Sequence, residues 1–114
     1  MILTIETKQL PPDVTVLEMA GRIILGNSSR DVELKLAEVL VAGAKKIIFD
    51  LGKITILDST GIGILVVCQG KVGKAGGKLH IACATGFVEE TLRSTNVDKI
   101  LHLYPTVAEA ASHF

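Results

Sequence analysis

Apolar and polar positions alternate over residues 2–8, which puts Leu3, Ile5 and Thr7 on one face and predicts a half-buried strand. Pro11-Pro12-Asp13 reads as a turn, and Val14–Ala20 as a second strand antiparallel to the first, ended by Gly21. From Asn27 the period lengthens. Val32, Leu36, Val39 and Leu40 recur at helical spacing, Ser28 and Asp31 have the spacing of a capping box, and Gly43 closes the helix. Ile47-Ile48-Phe49 is a continuous apolar run, which predicts a strand buried on both faces and ended by Asp50. Ile54–Leu57 is apolar again and leads into Asp58-Ser59-Thr60-Gly61, where a second helix begins and runs to Lys74 before Gly76-Gly77. Lys78–Ala84 predicts a strand with Leu79, Ile81 and Cys83 on one face. Thr85 caps a helix carrying Val88 and Leu92, Ile100–Leu103 predicts a short strand, and Thr106 with Glu109 forms a capping box for a last helix.

The order is therefore β-β-α-β-α-β-α-β-α, a single α/β domain over residues 1–114. Its sheet is expected to be mostly parallel with an antiparallel N-terminal strand. In such a sheet the strand-to-helix loops gather on one edge. Gly21–Ser28, Gly52–Ser59 and Ala84–Thr85 are expected to share that edge, together with helix N-termini whose N–H groups are unpaired.

Composition narrows the function more by exclusion than by assignment. Twelve basic and twelve acidic side chains cancel, so the chain lacks the excess positive charge that a nucleic-acid backbone rewards. The adjacent pair Lys45-Lys46 reads as the complement of a helix C-terminus. An apolar content of 48% supports one core, and the chain contains no uncharged apolar run long enough to span a bilayer. The N-terminal residues, Met1 to Glu6, read as a strand rather than a signal peptide, and a cytoplasmic location is the default expectation. Cys68 and Cys83 form no C-x-x-C pair and are expected to be reduced, buried hydrophobes.

The patterns of catalysis are missing. No G-x-S-x-G elbow occurs, and the third glycine of a dinucleotide loop beginning at Gly61-Ile62-Gly63 would have to be Val66. The Gly-Lys pairs at Gly70, Gly73 and Gly77 have Leu65, Cys68 and Val72 where a phosphate loop needs glycine. His80 and Cys83 are expected on opposite sides of a strand, while His102 and His113 stand alone in sequence, so no metal set is expected. Asp50 reads as a strand end and Asp58 as a cap. A non-enzymatic protein without cofactor is the resulting expectation.

Attention returns to Asp58-Ser59-Thr60. Each residue type caps a helix, and one cap contributes roughly 1 kcal/mol. Yet a cap needs one such residue and three stand in a row, with Gly61 and Gly63 weakening the first turn by roughly 1 kcal/mol each. Glycines there leave room for something to approach the backbone. A phosphate on Ser59 would meet a favourable helix N-terminus and leave the fold intact while adding roughly two negative charges to the surface.

The run IIFDLGKITILDSTGIGIL resembles the STAS domains of anti-sigma factor antagonists, which show an apolar strand, a short loop and then Asp-Ser-Ser/Thr-Gly-Leu/Ile-Gly. The stretches GGKLHIA, VEETLRSTNVDKIL and YPTVAEA extend the likeness over essentially the whole chain. The resemblance implies a regulatory protein. Its unphosphorylated form would bind an anti-sigma factor that is also a serine kinase of the histidine-kinase-like ATPase fold, releasing a sigma factor. Phosphorylation would switch binding off and a phosphatase would reverse it. The acceptor implied is Ser59, with Thr60 as second candidate, in a motif of Asp58, Ser59, Thr60, Gly61 and Gly63. The partner face implied is Arg22, Asn27, Ser28, Asp58, Ser59, Thr60 and Thr85. One departure stands out: Gly21-Arg22-Ile23-Ile24 replaces the family's Gly-Glu-Leu-Asp, so Ile24 takes the place of an acid. Leu25-Gly26-Asn27-Ser28 then resembles another STAS subgroup. A STAS scaffold subunit of a stressosome-like or lipid-transport complex, without a working phosphoswitch, is the alternative. A small-ligand binder, using the helix N-termini on one edge to hold an anion, is a third reading, one for which the glycine-rich fingerprint is missing.

Overall fold

Alternation, helical period and turn chemistry resolve into a five-stranded sheet with its strands in chain order, seen in a computed structural model that describes residues 2–114. Met1, the start of the stretch read against a signal peptide, lies outside the described residues. Strands β1 (Leu3–Leu10) and β2 (Val14–Ile23) form the expected antiparallel hairpin. Strands β3 (Lys46–Leu57), β4 (Lys78–Ala82) and β5 (His102–Tyr104) are added in parallel. Helices α1 (Asn27–Val41), α2 (Ser59–Lys74) and α3 (Gly86–Ser94) make the crossovers, and α4 (Val107–Ser112) follows β5.

Ile47, Ile48 and Phe49 are fully buried because both faces of the sheet are covered at β3. On one face Leu17, Met19, Phe49 and Ile81 pack with Val32 and Leu36 of α1, Leu65 and Cys68 of α2, and Val88 and Leu92 of α3. On the other, Val14, Val16, Ile48 and Ala82 pack with Ala110 of α4, joined by Val107, Ala111 and Phe114. Cys68 is buried as expected, whereas Cys83 is only half-buried.

Several boundaries differ from the sequence reading, each for a tertiary reason. Asp50 does not end β3. Its carboxylate accepts from the Gly52 N–H at 2.9 Å, and the strand continues as one element to Leu57. Gly21 likewise does not end β2. With φ at +114° it sits where an added Cβ would lie 2.0 Å from the Ile2 carbonyl oxygen, so glycine is what lets β1 pass this close. Beyond the last β3–β4 pair, Asp50 with Ala82, β2 and β3 run on together as far as the pair Ile23–Leu57, through two register irregularities. Strand β4 stops at Ala82 because Cys83 takes a left-handed conformation, φ 65°. A 3₁₀ turn at Val97–Lys99 delays β5 to His102. Lys45 complements a helix terminus, but that of α2: its ammonium donates to the Ala75 carbonyl, the C-cap of that helix.

The extended β2–β3 pair sets the geometry of the working edge. Leu57 lies seven residues beyond Asp50, roughly 20 Å along the strand. The loops that follow β2 and β3 therefore meet at a projecting corner, while the loop after β4 opens at the level of Asp50.

Candidate functional site

The corner is built around one residue. Asp58 alone separates the end of β3 from the start of α2, in an extended conformation that caps the helix. One carboxylate oxygen, Oδ1, accepts from the Gly61 N–H at 2.8 Å, and Oδ2 accepts from the Leu25 N–H at 2.9 Å. Its own N–H donates to the Ile23 carbonyl at 3.3 Å. Asp58 thus closes the first turn of α2 and straps it to the β2–α1 loop. The Gly61 N–H first, and the Leu25 N–H second, hold its carboxyl below the ordinary aspartate range.

With both oxygens engaged on the backbone, Asp58 is a fixed anion and a poor proton acceptor. Ser59, the first residue of α2, is exposed, and among the described residues its hydroxyl has no hydrogen-bond partner. A serine without a base to take its proton is not an activated nucleophile. It is an accessible hydroxyl at a helix N-terminus, whose positive dipole end is suited to receiving an anionic group. Thr60 is half-buried and less accessible.

The two glycines of the motif have different jobs. A Cβ on Gly61 would lie 2.2 Å from the Ile23 carbonyl oxygen and 2.8 Å from Leu57 Cδ1, so what approaches this backbone is the protein's own β2. Gly63 is exposed, and a Cβ there would meet nothing within 4 Å, so it keeps the surface beside Ser59 low.

The remaining expected face residues divide. Arg22 is exposed on β2 opposite Ile56, and Asn27 is exposed at the start of α1, so both lie on the same corner as Ser59. Ser28 does not belong to the exposed surface: it is 4% exposed. No capping box with Asp31 forms, because α1 starts after Gly26 and the Ser28 hydroxyl instead bonds both the N–H and the carbonyl of Ile24, each at 3.0 Å. Thr85 precedes α3 without a side-chain cap bond and lines a separate cleft with Glu89, Arg93 and Tyr104.

Sequence reasoning passed over Leu25. It is 76% exposed, and the Asp58 strap fixes its backbone beside Ser59. Nothing local marks it, since the bond spans 33 positions. The histidines also differ from expectation: His80, His102 and His113, isolated in sequence, gather around Tyr104. Among the described residues no group of three or more metal-ligating side chains forms, and no helix is long and apolar enough to cross a membrane.

An α/β sheet with an Asp-capped Ser at this corner defines a class, and the family model described as the STAS domain matches residues 5–110. The chain belongs to the STAS domain family. A Thermotoga neapolitana protein named as a candidate anti-sigma factor antagonist is 29% identical over 98 residues, which cover 86% of this chain and 87% of the relative. An anti-sigma factor antagonist from Mycobacterium paratuberculosis superposes with a TM-score of 0.86 at 23% identity, covering 97% of this chain and 92% of that one. The unphosphorylated form of the anti-sigma factor antagonist SpoIIAA superposes with a TM-score of 0.78 at 13% identity, over 96% and 95% of the two chains. At these identities both superpositions establish the fold.

Proposed function

We propose that this protein is an anti-sigma factor antagonist switched by phosphorylation of Ser59. The observation that carries the reading is the free, exposed Ser59 hydroxyl at the head of α2, next to an Asp58 whose carboxylate is wholly occupied with backbone. In this reading the unphosphorylated corner of Arg22, Leu25, Asn27, Ser59 and Gly63 docks on an anti-sigma factor that is also a serine kinase, and a sigma factor is released. The kinase then phosphorylates Ser59, and a phosphatase restores the hydroxyl. Relatives named as anti-sigma factor antagonists support the assignment. So does the existence of SpoIIAA from Bacillus in a phosphorylated form with the same fold, TM-score 0.71.

The physical basis is charge placed in an interface. A hundredfold loss of affinity corresponds to about 2.7 kcal/mol. A phosphate buried against a partner without a counter-charge costs several kcal/mol per ion, enough to supply that loss. The test is incubation with the cognate anti-sigma kinase and ATP. One phosphate is expected by intact mass, absent from Ser59→Ala. Ser59→Ala is expected to hold the partner through ATP addition, and Ser59→Asp to weaken it about a hundredfold. Binding indifferent to both substitutions would overturn the switch.

One observation favours a second reading. The β2–α1 turn presents the exposed Leu25 next to half-buried Ile24, and Ile24 stands where the resembled family carries an acid. Such a turn suits a constitutive scaffold contact, which would form a stable complex insensitive to ATP and to Ser59→Asp.

A further inference from the structure

The second face of the sheet is closed by α4, six residues long, and its attachment centres on an imidazole. His80 projects from β4 onto this face and is 3% exposed. Its Nδ1 lies 2.8 Å from the Ala110 carbonyl of α4, and its ring stacks on Phe114 with centroids 4.0 Å apart and planes 5° from parallel. His102 of β5 meets it edge-on at 5.9 Å, and Tyr104 lies 4.9 Å away with His113 stacked behind it at 4.8 Å. All three histidines of the chain thus converge on the α4 contact.

We propose that this histidine cluster is an acid-sensitive latch, which holds α4 on the sheet while His80 is neutral and releases it when His80 takes a proton. The titratable and charged groups facing His80 are Lys78 on its own strand, His102 and Tyr104 on β5, and His113 at the C-cap of α4, while on β3 the residue paired with it is the apolar Ile48, flanked on the same face by Lys46, which pairs with Asp13, and by Asp50, whose carboxylate accepts from the Gly52 N–H. Among the described residues no carboxylate side chain bonds to any of the three imidazoles. The Phe114 face attracts an imidazolium, but a charge buried this far without a counter-ion loses more through desolvation. Burial first, then His102, Lys78 and His113, accordingly hold the His80 pKa below the ordinary value, against the opposing pull of the Ala110 carbonyl. A pKa lowered in the docked state means that opening takes up a proton. Docking is therefore at full strength above the open-state pKa of about 6.5 and weakens as pH falls below it. Release uncovers Val14, Val16, Ile48 and Ala82, an apolar strip on the sheet face.

Amide hydrogen exchange read by NMR at pH 7.5 and 5.5, corrected for intrinsic rates, tests the latch on residues 107–112 with residues 47–49 as internal control. An imidazole that titrates near pH 6.5 when α4 is open and lower when it is docked raises the opening constant over that interval, by at most about tenfold. The rise is expected in the wild type and in the double variant His102→Gln/His113→Gln, and is lost in His80→Gln whatever its baseline. A flat wild-type profile, or an undiminished rise in His80→Gln, would overturn the latch. So would an NMR titration in which His80 takes its proton while the α4 amides stay protected, a measurement that needs no variant to fold.

Discussion

Gly61 and Gly63 stand two residues apart in the first turns of α2, and replacing each by alanine is expected to move stability in opposite directions. Alanine gains about 1 kcal/mol over glycine in a helix interior, and this gain is available at both sites. At Gly63 nothing opposes it, since the new methyl meets no atom within 4 Å. At Gly61 the methyl would stand 2.2 Å from the Ile23 carbonyl oxygen, well inside contact distance, and the obstacle is backbone held in the β2–β3 pairing. Relief requires α2 to back away from β2. That strains the Asp58 N–H bond to Ile23 and the Asp58 link to Leu25. Overpacking of this kind costs about 1–3 kcal/mol, and each weakened hydrogen bond about 1 kcal/mol. After subtracting the propensity gain, Gly61→Ala should lose about 2–4 kcal/mol and Gly63→Ala should gain up to about 1 kcal/mol. Urea unfolding followed by far-UV circular dichroism reads both as midpoint shifts at constant slope. A Gly61→Ala variant as stable as wild type would refute the claim that close approach of β2, rather than exposure to a partner, is why glycine stands there.

Asp58→Ala should cost about 2 kcal/mol, through a lost N-cap and a charge-assisted bond to Leu25. Because the folded carboxyl has the lower pKa, the wild-type advantage is complete above roughly pH 4 and fades as pH falls through the folded value. Urea midpoints whose difference stayed constant down to pH 2 would contradict that assignment. Burial pushes the Cys68 thiol up to about 12, so iodoacetamide at pH 8 should label half-buried Cys83 first and reach Cys68 only in denaturant. Peptide mass mapping that finds native Cys68 labelled as fast as Cys83 would count against the packing described.

Element types and their order were legible because they rest on local periodicity. The helical spacing of Val32, Leu36 and Val39 and the unbroken run Ile47-Ile48-Phe49 correspond to buried positions in the fold. Thr106 also caps α4 as its spacing predicts, accepting from the Glu109 N–H at 3.1 Å. The exposure of Ser59 was legible too, since an Asp-Ser-Thr run after an apolar strand places a hydroxyl at a helix head. Less legible was the strand through Gly52 and Lys53. The burial of residues 52–57 repeats every third position instead of every second, because β3 there has lost β4 and follows β2 through register irregularities. Ser28 was misplaced for a related reason: its partner is the Ile24 backbone, reached only once Gly26 turns the loop.

Sequence by itself determined the class of fold, the direction of the strands and the presence of a hydroxyl at the head of α2, since each follows from side-chain period and capping chemistry within a few residues. Tertiary structure alone decided that Asp58 straps Leu25 across 33 positions, that Gly61 yields to the Ile23 carbonyl, and that three scattered histidines meet under α4. Those outcomes depend on which strands become neighbours and on how far each extends past the next, and no short stretch of sequence encodes a distance between segments that the sheet has yet to bring together.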